Sequence, residues 1–136
     1  MEKTLVLTIL MLIVLISGCG PKVQRYGSVI GVKEEMLAKY KDLHANPWPA
    51  VNKQIKKSNI RNYSIYLTQF PDGKYYLFSY FEYIGDNFDA DMAKMAEDPM
   101  TQKWWKETDS CQIPLSNRPK GEFWKSMEEV YHLEKE

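Results

Sequence analysis

Histidine and cysteine are scarce in this 136-residue chain, with two of each, and neither sign of charge is in excess, 18 basic residues facing 18 acidic ones. Each shortage excludes something. Two histidines and two cysteines with no acidic partners at ligand spacing build no metal cluster, so no metal is expected. No glycine-rich phosphate loop occurs, which removes the signature of nucleotide or dinucleotide binding and leaves no cofactor to expect. No Ser or Cys stands beside a visible base, so a covalent nucleophile is unsupported. Balanced charge without a basic run gives no field for nucleic acid or for an anionic surface. The length suits one domain with a real core, and not two.

Only the N-terminus carries a long apolar run. Lys3 precedes Leu5–Ile16, which is too short for a bilayer crossing of roughly 20 residues but has the proportions of a signal peptide core. Ile16-Ser17-Gly18-Cys19 follows and resembles the lipobox of bacterial lipoproteins, with an ordinary secretory signal or an uncleaved anchor as the plainer alternatives. The expected division is therefore a signal peptide over 1–18, a lipidated Cys19 with a tether over 19–25, and one folded domain over 26–136. The resemblance implies a bacterial cell-envelope location, with acyl chains on Cys19 holding the domain at a membrane surface. With Cys19 so used, Cys111 has no intramolecular partner and is expected to be a free buried thiol.

Aromatic residues are what the chain has in plenty: nine Tyr, five Phe and four Trp. Their placement follows an alternating pattern. Arg25–Val32 reads as a strand. Lys33–His44 has apolar residues at Met36, Leu37, Tyr40 and Leu43, the 3.6-residue spacing of a helix. Pro47 and Pro49 interrupt it, and Pro49 opens a second helical segment with Val51 and Ile55. Asn62–Thr68 and Lys74–Tyr83 read as strands of a hairpin around Pro71-Asp72-Gly73. Phe88–Ala96 reads as a helix with Met92, Met95 and Ala96 inward. Asp98-Pro99 caps a short helix carrying Trp104 and Trp105. Pro114–Gly121 reads as a loop and Met127–Leu133 as a final strand. The order β-α-β-β-α-β suits an α+β ferredoxin-like sandwich. Lys74–Tyr83 is aromatic on both faces, although helices can cover only one, so the other face is expected to be buried in a homodimer.

One stretch points to chemistry: Tyr40-Lys41-Asp42-Leu43-His44-Ala45-Asn46-Pro47-Trp48-Pro49. Side chains four apart on a helix lie roughly 6 Å from one another, so Tyr40 and His44 point together, over the face of the sheet that Tyr63, Ile65 and Leu67 share. Adjacent indoles diverge by about 100° on a helix, so one of Trp104 and Trp105 belongs to the core and the other can wall a cleft. Each residue alone reads as packing. Together they describe an aromatic cleft with one titratable group, suited to a neutral polyol and a reaction that needs proton transfer alone.

The chain resembles the L-rhamnose mutarotases, from Tyr26 to Leu133. The similarity rests on Tyr40-x3-His44 with Trp48-Pro49, on Asn62-Tyr63-Ser64-Ile65-Tyr66-Leu67, on Gln102-Lys103-Trp104-Trp105-Lys106, and on Glu129-Val130-Tyr131-His132-Leu133. The resemblance implies a dimeric α+β barrel that interconverts the α and β anomers of L-rhamnose or a related 6-deoxyhexose. It also implies His44 as the proton donor and Tyr40, Tyr63, Trp104 and Trp105 as sugar contacts. The chain departs from the family in its export signal and at Ala45 and Ala50, where many members carry polar or acidic residues. Two other readings use the same residues: a non-catalytic sugar-binding lipoprotein, and a cofactor-free monooxygenase, an activity that the same architecture also hosts.

Overall fold

A computed structural model describes residues 22–134. The stretch expected to be a signal peptide and lipobox, with Cys19, lies outside the described residues. The chain runs β1 (Gln24–Val32), a single 3-10 turn (Glu34–Met36), α1 (Leu37–Ala45), α2 (Pro49–Lys57), β2 (Ile60–Gln69), β3 (Tyr75–Tyr83), α3 (Phe88–Glu97), α4 (Pro99–Asp109), β4 (Gln112–Ile113) and β5 (Lys125–Met127). Among the described residues no helix is long and apolar enough to cross a membrane.

All strand pairs are antiparallel. The order is β2-β3-β1-β4, with β5 also on β1, so β1 and β3 are central, as in the ferredoxin-like arrangement. Register assigns the two faces. Ile30 lies opposite Leu77, Ser28 opposite Ser79 and Tyr26 opposite Phe81 on the helix-covered face, while Val29 lies opposite Phe78 and Gly31 opposite Tyr76 on the other. Ile30, Val32, Tyr40, Leu77 and Cys111 form the buried core, with Met36, Leu37, Ile65 and Leu67 against it. Full burial of a side chain such as Ile30 or Leu77 contributes about 1.5–3 kcal/mol.

Each helical layer is broken by proline. Pro47 precedes the extended Trp48, and Pro49 takes the first helical position of α2, where a missing N–H costs nothing. Likewise Asp98 caps α4 by accepting from Thr101 N at 2.7 Å, with Pro99 following it. The hairpin turn uses Gly73 at φ 80°. Cys111 is a free buried thiol, as its sequence context implied.

The structure corrects three sequence expectations. Ala96 is exposed, while Met92 and Met95 of the same helix line an interior cavity. The partner of β1 is two short pieces, β4 against Gly31–Val32 and β5 against Gly27–Val29, with an unpredicted β4 before the 114–121 loop. The final strand ends at Met127, not Leu133. Continuing its register would set Val130 opposite Gln24, the first residue of β1, so the chain beyond has no strand to pair with. Val130, 87% exposed, Tyr131 and Leu133 stand in solvent despite their apolar character.

Candidate active site

The proline break that ends α1 explains the local crowding of rings. Tyr40, His44 and Trp48 follow one another at intervals of four, so they come up on one side, facing α4. The His44 ring lies on that of Tyr40, centroids 4.2 Å apart, and meets the edge of Trp104 at 5.3 Å. Trp48 meets Trp104 from behind, also at 5.3 Å. Trp104 is thus the pivot of the cluster and is 8% exposed, whereas Trp105 is 37% exposed. This is the divergence that adjacent positions on a helix impose.

Between these rings and the inner face of β2 and β3 lies a cavity of two lobes. The outer lobe, about 580 Å³, is walled by Tyr40, His44, Val51, Ile55, Tyr63 and Trp104. The inner lobe, about 340 Å³, shares those walls and adds Phe81, Trp105, Asp109, Gln112, Phe123 and Trp124. The five residues singled out from sequence, His44, Tyr40, Tyr63, Trp104 and Trp105, therefore line one cavity. Tyr63 enters it because it alternates onto the same face of β2 as Ile65 and Leu67, and the register shift between Arg61 and Ser64, with Asn62 at φ 50°, leaves that face intact. Its ring meets Phe81 edge-on at 5.5 Å. Although Tyr63 is 45% exposed, it lines both lobes, and we take that exposure to be toward the cavity rather than the outer surface.

Electrostatics favour neutral groups here. Burial pushes the Tyr40 phenol well above its ordinary range, with the neighbouring Tyr63 adding to the rise, and burial pushes Tyr63 up as well. Burial pulls the His44 imidazole below its usual value, and a hydrogen bond to the Tyr40 backbone partly opposes it. That bond, Nδ1 to the Tyr40 carbonyl oxygen at 2.9 Å, fixes the tautomer. A carbonyl can only accept, so Nδ1 carries the proton and Nε2 holds the lone pair. Asp109, at the end of α4, has its carboxyl raised by burial. Among the described residues no group of three His, Cys, Asp or Glu is placed to hold a metal ion.

Sequence reasoning did not find Val51, Ile55 and Ile60, which form the apolar floor, nor Asp109, Gln112, Phe123 and Trp124, which close the inner lobe. The apolar period of Pro49–Lys57 carried a signal for Val51 and Ile55. Nothing local marked Gln112, because a two-residue strand has no period.

Fold and cavity together define a small α+β protein of the dimeric-barrel kind, with an aromatic-walled pocket around one histidine. The chain belongs to the L-rhamnose mutarotase family, whose model matches residues 25–133. It is thereby a sugar mutarotase, an isomerase acting on carbohydrates. An L-rhamnose mutarotase of Oceanobacillus iheyensis is 31% identical over 117 residues, covering 82% of this chain and 99% of the relative. One from Listeria monocytogenes is 35% identical over 103 residues, covering 76% and 88%. Two solved structures share the fold: the L-rhamnose mutarotase of Formosa agariphila, TM-score 0.60 at 21% identity, and the tetracenomycin F2 cyclase of Streptomyces glaucescens, TM-score 0.59 at 12%. They cover 82% and 83% of this chain and 99% of each neighbour. The named relatives favour neither the binding-only reading nor the monooxygenase reading.

Proposed function

We propose that this protein interconverts the α and β anomers of L-rhamnose or a related 6-deoxyhexose, with His44 moving the proton. The observation that carries this reading is the 2.9 Å bond from His44 Nδ1 to the Tyr40 carbonyl, which leaves an unprotonated Nε2 on a residue that lines the aromatic-walled cavity. Opening a pyranose removes the proton from the anomeric hydroxyl O1, forms the C1 carbonyl and breaks the C1–O5 bond, and O5 then takes a proton. Both oxygens belong to C1, so a single Nε2 can take the proton from O1 and return it to O5. Rotation about C1–C2 and the reverse steps close the ring on its other face. Protons balance and no other reactant enters. Tyr40 holds His44 in its tautomer, while Tyr63, Trp104 and Trp105 present rings to the apolar faces of the sugar.

Saturation-transfer NMR between the two anomeric protons of L-rhamnose tests the reading, with a panel of 6-deoxyhexoses alongside. Exchange well above the buffer rate is the expected result. Wild-type protein that accelerates none of these sugars would sink it.

Two further elements belong to this proposal. The folded domain, 26–136, works as a homodimer: Tyr66 and Phe70 are exposed on or beside the uncovered sheet face, as are Val130, Tyr131 and Leu133 in the tail, and a second copy would cover such surface. Light scattering at micromolar concentration should return twice the protomer mass. It is also lipid-anchored in the bacterial cell envelope through Cys19 after loss of 1–18, a reading that rests on Lys3, Leu5–Ile16 and Ile16–Cys19. Cys19→Ser should release the protein from membranes or block its processing.

A further inference from the structure

Among the described residues, two buried side-chain polar atoms lack a hydrogen-bond partner, Thr101 Oγ1 and Gln112 Oε1, and both residues line the inner lobe. They are not equivalent. The Thr101 hydroxyl sits by the Asp98 cap carboxylate, which can take its proton after a small rotation. Gln112 has no such alternative. Its side chain is held by β4, which pairs Gln112 with Val32 on the core face of the sheet. The residue is 5% exposed, and its amide lies against the Tyr40 hydroxyl. An amide has two ends. Whichever end meets Tyr40, the other is left unpaired beside the cavity, and turning the group over only exchanges an orphan acceptor for an orphan donor. A buried polar group without a partner is a cost that native structures seldom retain without cause.

We propose that Gln112 is a specificity-determining residue of the sugar site, whose free amide end pairs with a hydroxyl of the sugar seated in the inner lobe. Trp105, Phe123 and Trp124 give that lobe apolar walls, and Gln112 is the one side-chain amide among its lining residues, beside the hydroxyls of Thr101 and Thr108 and the Asp109 carboxyl. The inference rests on the sugar-isomerase reading of this cavity and extends it. A site built to hydrogen-bond a substrate hydroxyl discriminates against the analogue that lacks it far more sharply than an apolar wall discriminates by size.

The test replaces Gln112 by Met, which keeps volume and removes both polar ends, and by Glu, which keeps a carbonyl acceptor. Sugar binding is followed by the tryptophan fluorescence of the wild-type and variant proteins, and anomer exchange by NMR, across 6-deoxyhexoses that differ at one hydroxyl each. Q112M should fold with unchanged or higher Tm, bind its best sugar about ten-fold more weakly and lose much of its preference among epimers. Q112E should recover part of that preference. Unchanged preference in folded Q112M overturns the proposal, as does a fall in its Tm with preference intact, which would make Gln112 a purely structural residue. Failure of the isomerase reading is seen separately: wild-type protein would then bind sugar without exchanging anomers, and the epimer preference in binding would still decide the role of Gln112.

Discussion

Two buried tyrosines, Tyr40 and Tyr83, lie in different parts of the same fold and have opposite surroundings. Tyr83 ends β3, and its hydroxyl is fully engaged. It donates to Asp91 Oδ2 at 2.7 Å and accepts from Asn87 N at 3.0 Å, while Asn59 Nδ2 also donates to Asp91 Oδ2 at 2.7 Å. Burial, and then the bond to Asp91, push its phenol up to about 12. Phe88 stands edge-on to its ring. Gly85 is required there, since a Cβ would collide with the Tyr83 hydroxyl. Tyr40 is just as deeply set, but its hydroxyl faces an incompletely paired glutamine and a cavity. Both are aromatic clusters with raised phenols. The satisfied one is a clasp that ties α3 to the sheet, and the unsatisfied one is where a ligand has something to complete. A raised phenol by itself therefore distinguishes nothing, whereas the tally of unpaired polar atoms does.

The sharpest way to break this comparison is to remove one group from each cluster. H44A should lower anomer exchange by about 10²–10⁴-fold, the usual contribution of a positioned acid–base group, with the Tm within a few degrees of wild type. Y83F should do the reverse. It leaves Asn87 N–H without its acceptor and Asp91 with one donor fewer, so the Tm should fall by about 5–10 °C while exchange per folded molecule stays unchanged. Exchange measured beside calorimetry on both variants decides the matter. A folded H44A variant that exchanges anomers at the wild-type rate would remove histidine from the mechanism, and a slow Y83F would mean that the clasp also serves the site. A smaller effect is expected for W105A. A stacking wall holds substrate and transition state alike, so KM for the sugar should rise several-fold with kcat little changed.

The contrast also shows what could be read from the chain. The α-β order, the two proline breaks, the Pro71-Asp72-Gly73 hairpin and the shared face of Tyr40 and His44 all follow from short-range rules, and the structure has them. Tyr63, Ile65 and Leu67 share a face because strand alternation is local, and the bulge leaves that face intact. What escaped was non-local. Tyr131 and Leu133 alternate as a strand does, but whether a strand forms depends on a partner, and β1 begins at Gln24, too late to reach them. Ala96 has the apolarity of an inward residue but lies on the open side of α3. Gln112 and Asp109 enter the inner lobe only because α4 and β4 return the chain beneath α1, which no window of sequence encodes.

The last and smallest expected effect is the one that fixes the direction of proton flow. Burial depresses the His44 imidazole below its ordinary value of about 6.5, with the Tyr40 carbonyl working against the shift. At neutral pH the ring is therefore uncharged, and Nε2 is ready to accept the O1 proton. Exchange measured as kcat/KM should then be level above pH 6.5 and decline on the acid side, with its midpoint below that of free imidazole. If the imidazolium were instead the starting form, the rate would decline as pH rises through the same window, so the slope alone separates the two schemes. Stability must follow the same sign. The unfolded chain takes up its histidine proton near pH 6.5 while the native ring resists, so as pH falls from there toward the native pKa the His44 contribution to stability is lost. The Tm difference between wild type and H44A should narrow or shift toward the variant across that acid interval, and stay constant above it. A difference that grows in favour of the wild type as pH falls would mean that the buried ring is charged, and the neutral-base scheme would fail with it.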